Sequence, residues 1–132
     1  MIIKLVQMSV GAQTAMIIDD DEDMNYLLAG ILKTRKIHTL SVHSLEEAEE
    51  YLTYLKPSVI FLDNNFPEGL GVNFISNIHS VDKEIKIIMI TADPSTWIKE
   101  KAWDQGINYF LEKPFSKQVI DRVLDKVGLR KH

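Results

Sequence analysis

Asp19, Asp20, Asp63, Thr91 and Lys113 share one place in the pattern of this chain: each lies at or just past the end of a short apolar run. Ala15-Met16-Ile17-Ile18 leads into Asp19-Asp20, and Val59-Ile60-Phe61-Leu62 into Asp63. Ile87-Ile88-Met89-Ile90 leads into Thr91, and Tyr109-Phe110-Leu111 into Glu112-Lys113-Pro114. Runs of this length, rich in Ile and Val, read as buried strands. In an open α/β sheet, ligands bind outside the carboxyl ends of the strands. Three carboxylates, a hydroxyl and an ammonium therefore converge on one sheet edge. Crowded carboxylates repel and must take up protons or bind a cation. Mg²⁺ suits them, with Mn²⁺ as an alternative, because it accepts a few carboxylates together with water and a phosphate oxygen. Lys113, held out of the helical region by Pro114, supplies a point charge for a phosphoryl oxygen. A simpler local reading makes Asp19 to Asp23 a helix cap favoured by the dipole, but it explains neither Asp63 nor Lys113. The D-x-D-x-D spacing from Asp19 also imitates a calcium loop. That loop needs Gly at its sixth position and Glu at its twelfth, where this chain has Met24 and Gly30.

The elements that position these residues alternate between strand and helix. Met24, Leu27, Leu28, Ile31 and Leu32 keep a helical period, with Asp23 expected as the cap. Ile37 to Val42 reads as an edge strand with polar residues interleaved. Ser44 with Glu47 forms a capping box before the stripe Leu45, Ala48, Leu52, Leu55. A Pro/Gly loop, Pro67 to Gly71, separates the Asp63 strand from a short helix carrying Phe74, Ile75 and Ile78. Pro94 is expected to open the fourth helix and Gly106 to close it. Ser116 caps the fifth, whose stripe is Val119, Ile120, Val123, Leu124 and Val127. Five strands and five helices in alternation imply a parallel sheet covered on both faces.

Composition narrows the class. A chain of 132 residues with 45% hydrophobic and 26% charged residues is one ordinary globular domain. The net charge of -4 and the absence of a basic cluster argue against direct nucleic-acid contact. With no cysteine there is no disulfide or thiolate site. No apolar stretch approaches the roughly 18 residues of a membrane span, so a cytoplasmic location is expected. The division expected is an N-terminal extension over 1–13, the domain over 14–128 and a tail over 129–132. His38, His43, His79 and His132 have no metal-ligand spacing. Trp97 and Trp103 are six residues apart on one helix, so they cannot both face the core.

Taken together, the motifs resemble the receiver domain of bacterial two-component response regulators. The resemblance runs from about Thr14 to Val127 and rests on four segments: Ile17-Ile18-Asp19-Asp20-Asp21, Ile60 to Pro67 with Gly71 behind it, Met89-Ile90-Thr91-Ala92, and Lys113-Pro114-Phe115. It implies a doubly wound (βα)5, flavodoxin-like α/β fold with a five-stranded parallel sheet in the order 2-1-3-4-5. It also implies that Asp63 is the phosphoacceptor. Asp20 and Asp63 would bind the metal directly, Asp19 through water, and Asn65 through its backbone carbonyl. Thr91 and Lys113 would receive phosphoryl oxygens, while the small Ala92 leaves the acceptor accessible. Thr91 and Phe110 fall on the switch positions, and Phe110 has no hydroxyl, so its signal would be a change of packing. The output surface would be the fourth helix, fifth strand and fifth helix. Asn65 and Asp93 would flank the water that removes the phosphoryl group. Phe66 and Leu70 depart from the commoner Met and acidic residue, away from the metal.

The partners implied are a sensor histidine kinase or histidine phosphotransfer protein as donor, and as output a downstream effector or a C-terminal effector domain. A monomer or a phosphorylation-promoted dimer is expected, without membrane contact. Such a domain catalyses its own phosphorylation and dephosphorylation rather than turning over a separate substrate. Two other classes compete. In an aspartate-nucleophile phosphohydrolase, Asp19 would be the nucleophile and Asp21 its partner. A degenerate receiver would bind partners without phosphorylation.

Overall fold

The computed structural model describes residues 13–93 and 95–129. Most of the expected N-terminal extension, Pro94 and most of the expected tail lie outside them. The buried apolar runs form strands β1 (Thr14–Ile18), β3 (Val59–Leu62), β6 (Lys86–Thr91) and β7 (Tyr109–Glu112), with β2 (His38–Val42) at one edge. A two-stranded antiparallel hairpin, β4 (Asn65–Phe66) and β5 (Gly69–Leu70), occupies the stretch expected to be a plain loop. The sheet order is β2-β1-β3-β6-β7, all parallel. Counted among the five sheet strands alone, this is the expected 2-1-3-4-5; the hairpin interposes two numbers. The helices are α1 (Glu22–Thr34), α2 (Leu45–Tyr51), α3 (Ile75–Val81), α4 (Thr96–Asp104) and α5 (Lys117–Lys126), and a 3-10 turn over Gly71–Phe74 leads into α3.

Strand alternation divides the core into two layers. Met16, Ile18, Ile60, Leu62, Ile87 and Met89 face α2, α3 and α4 through Ala48, Ile75, Ile78 and Ala102. Ala15, Ile17, Val59, Phe61, Ile88 and Ile90 face α1 and α5 through Leu28, Leu32, Ile120 and Leu124. Strands covered on both sides are apolar at every position, which is why the runs read as continuous rather than alternating.

Several boundaries follow local chemistry. Ser116 caps α5 and Ser44 caps α2, each accepting from the backbone N–H three residues on. The Glu47 carboxylate accepts from the His43 N–H, one residue before the capping box places it. Gly106 (φ +95°) closes α4 in the left-handed region. Two expectations are corrected. Asp21, not Asp23, caps α1, accepting from the N–H of Asp23 and Met24. Leu27 keeps the helical period but is half exposed, because the buried face of α1 is set by Asn25, Leu28, Ile31 and Leu32. Trp97 and Trp103 are both exposed, at 55% and 48%.

Among the described residues, one charged side chain is buried between helices. Arg35, at the end of α1, donates to Asp121 (3.2 Å) and Asp125 (2.8 Å) of α5 and to the Leu129 carbonyl. Lys117 also reaches Asp121, and its hydrogen bond is the main cause of the lowered Asp121 carboxyl pKa. Removing the 2%-exposed guanidinium takes this donor from Asp125 and the Leu129 carbonyl, while Asp121 keeps Lys117. Arg35→Met should therefore cost about 1–2 kcal/mol, below the loss for breaking a fully buried pair, because Asp125 is half exposed and Asp121 keeps Lys117. Urea denaturation measures it, and a loss under about 0.5 kcal/mol would contradict this role.

Candidate functional site

The site lies where the sheet order reverses, outside the carboxyl ends of β1 and β3. The parallel register pairs Ile18 with Leu62, which brings the next residues, Asp19 and Asp63, side by side. The Asp63 N–H donates to the Ile18 carbonyl (3.0 Å), and the Asp19 N–H to that of Val42 (3.1 Å). Carboxylate oxygens of Asp19, Asp20 and Asp63 all lie within 4.8 Å of one another. Asp19 and Asp63 are buried, whereas Asp20 faces solvent.

Lys113 reaches this cluster from the end of β7, across the ends of β6 and β3. Its Nζ lies 2.8 Å from Asp19 Oδ2 and 3.6 Å from Asp63 Oδ2. Burial lowers the Lys113 pKa, but the Asp19 hydrogen bond and the nearby carboxylates outweigh burial and leave it raised. Burial, then the charge of Asp19, pushes the Asp63 carboxyl up to about 6, against the opposing pull of Lys113. These are donors and charges that suit a small divalent cation: hard oxygens, excess negative charge and one open side.

Thr91 is fully buried at the end of β6, and its hydroxyl accepts from the Asp93 N–H (3.1 Å). Ala92, Asp93 and Asn65 are exposed around the site, and Phe110 is half-buried on β7. The site residues named from sequence thus lie at one end of the sheet. Asp21 does not join them, because its side chain caps α1 and its N–H holds Asp19 Oδ1 at 2.9 Å. This removes the acid partner that a phosphohydrolase reading assigns to Asp21.

Sequence reasoning overlooked two asparagines. Asn64 is completely buried; its Oδ1 accepts from the Val72 N–H (3.0 Å) and its carbonyl from the Gly71 N–H (2.7 Å). These bonds pull the 3-10 turn onto the acceptor strand. A Cβ on Gly71 would collide with the Asp63 carbonyl oxygen, so only glycine permits that approach. Asn25 donates to the Asp19 carbonyl (2.8 Å) and ties α1 to the acidic turn. For Asn25 the available signal was a polar residue on the otherwise apolar buried face of α1.

Comparison with known proteins gives the class. The family model for the response regulator receiver domain matches residues 15–125. The chain belongs to this family, whose members are phospho-accepting signalling switches. It is 30% identical over 119 residues, 84% of this chain and 10% of the relative, to hybrid signal transduction histidine kinase C of Dictyostelium discoideum. It is 28% identical to chemotaxis protein CheY1 of Helicobacter pylori, over 85% of this chain and 94% of that protein. Among solved structures, the beryllofluoride-activated NtrC4 receiver domain dimer matches with a TM-score of 0.77 and 35% identity, over 86% of this chain and 92% of that one. The chain spans 10% of the kinase, 23% of a response regulator protein and 50% of a transcriptional regulatory protein that it matches.

The raised Asp63 pKa has a consequence for stability. Between its ordinary 3.8 and about 6, the folded protein holds more protons at Asp63 than the unfolded chain. Stability of the metal-free protein therefore falls as pH rises through that interval, and the loss is complete above it. Asp63→Asn should stabilise metal-free protein by about 1–3 kcal/mol at pH 8 and by little at pH 4. Urea denaturation in EDTA at both pH values measures this. An equal effect at the two would show that the charge is not its source.

Proposed function

We propose that this chain is a receiver in a two-component phosphorelay, taking a phosphoryl group from a phosphohistidine onto Asp63. The observation that carries this reading is the convergence of Asp19, Asp20 and Asp63 within 4.8 Å, with Lys113 Nζ 3.6 Å from Asp63. The donor would be a sensor histidine kinase or histidine phosphotransfer protein in the cytoplasm.

Asp20, Asp63 and the Asn65 carbonyl would hold Mg²⁺ or Mn²⁺, with Asp19 acting through water. Bound there, the cation supplies positive charge beside the phosphoryl oxygens. A carboxylate oxygen of Asp63 attacks phosphorus as the P–N bond to the donor imidazole breaks. The imidazole keeps the electron pair and takes a proton from solvent. Lys113 turns from Asp63 to a phosphoryl oxygen, retaining Asp19, and the Thr91 hydroxyl leaves the Asp93 N–H to donate to another. Ala92 leaves the approach clear. With Thr91 drawn toward Asp63, the Phe110 ring fills the space it leaves, biasing a two-state equilibrium. Output would appear on α4, β7 and α5, read by an effector protein or domain or through dimerisation.

Acetyl phosphate with Mg²⁺ should add one phosphoryl group to the wild-type chain and none to Asp63→Ala, as read by intact mass. Modification of equal extent in the variant would overturn the assignment. Removal of the phosphoryl group is an in-line attack by water that cleaves the Asp63 O–P bond. Asn65 and Asp93 are exposed and polar beside that line. Asn65→Met and Asp93→Ala should each lengthen the phosphorylated lifetime without blocking its formation. Unchanged decay in both would contradict their role in placing the water.

A further inference from the structure

Phe110 and Glu112 lie two residues apart on β7 and so share one face of the sheet. In the β6–β7 register, Phe110 stands beside Met89 and Glu112 beside Thr91. That face is the one covered by α4, and Phe110 packs against its core. From α4, the Lys99 ammonium reaches both residues. Its Nζ lies 5.6 Å from the centroid of the Phe110 ring and 3.6 Å from Glu112 Oε1. The half-buried ring thus has the core on its inner side and a cation on its outer side. That cation is itself held by the carboxylate beside Thr91.

We propose that Lys99 and Glu112 form a latch that holds the Phe110 ring in its half-exposed position and sets the resting level of the switch. The inference rests on the switching role given to Thr91 and Phe110 above. A phenyl ring has no hydroxyl with which to anchor itself, so only contacts with its face or edge can hold it. A cation over the face is attracted by the ring quadrupole. When the ring turns inward, it leaves Nζ and loses that attraction, so the latch opposes the phosphorylated conformation. Lys99 acts through Phe110 and is a positioning residue, not a catalytic one. Its side chain is 42% exposed, so its removal should leave the fold intact.

The test is the rate at which acetyl phosphate with Mg²⁺ modifies Asp63, together with NMR of the Phe110 ring before and after modification. Lys99→Gln should raise the rate about two- to fivefold, the range of an exposed cation–π contact. Glu112→Gln should raise it less. In a Phe110→Leu background, which keeps apolar bulk without the π face, Lys99→Gln should change nothing. An unchanged rate in Lys99→Gln, with wild-type ring signals that still move on phosphorylation, would overturn the latch and leave the switch standing. Wild-type ring signals that do not move would overturn both. An equal rate increase in the Phe110→Leu background would show that Lys99 acts by general charge and overturn the latch.

Discussion

Negative charge crowded at the junction of β1 and β3 is the constraint on which the rest of this molecule depends. Two of the three carboxylates are buried, and burial opposes the ionisation of Asp63. Lys113 offsets part of this charge, bonding Asp19 closely and standing further from Asp63. Burial first, and then the charge of Asp19, outweigh that offset, so the Asp63 carboxyl stays raised. A site left short of positive charge favours whatever brings more of it, and that is the property a cation-assisted phosphoryl acceptor needs.

The surrounding polar groups serve to keep that crowding in place. Asn25, Asn64 and the Asp21 N–H each hold one part of the acidic turn or acceptor strand, and Gly71 lets the following turn close against the Asp63 carbonyl. The sheet beneath is apolar on both faces and offers little freedom to relieve repulsion by moving apart. The adjustable parts lie on the other flank. The Thr91 hydroxyl bonds a single amide, and the Phe110 ring lies between the core and an exposed lysine. The rigid flank fits acceptance of the group, and the loosely held flank fits its readout.

Much of this was legible in the sequence because the signals were redundant. Each strand of the site carried both a continuous apolar run and a polar residue at its end, so the fold and the site predicted one another. Where a signal was single, the reading slipped. Asp21 and Asp23 are alike in type, and only backbone geometry decides which caps α1. Leu27 obeys the helical period yet faces solvent, because period fixes spacing but not which side meets the sheet. The β4–β5 hairpin has two residues per strand, too few for any alternation to be seen. Arg35, Asn64 and Lys99 have ordinary side chains whose partners are distant in sequence or on another element, and nothing local marks them.

The central claim is that Asp63, rather than Asp19, receives the phosphoryl group. Borohydride reduces an aspartyl phosphate to homoserine and leaves free carboxylates untouched, so it records which residue was modified. Applied to the chain after treatment with acetyl phosphate and Mg²⁺, followed by peptide sequencing by mass spectrometry, it should place homoserine at position 63 with Asp19 and Asp20 unchanged. Homoserine at position 19 would contradict this account and make the first acidic residue the nucleophile.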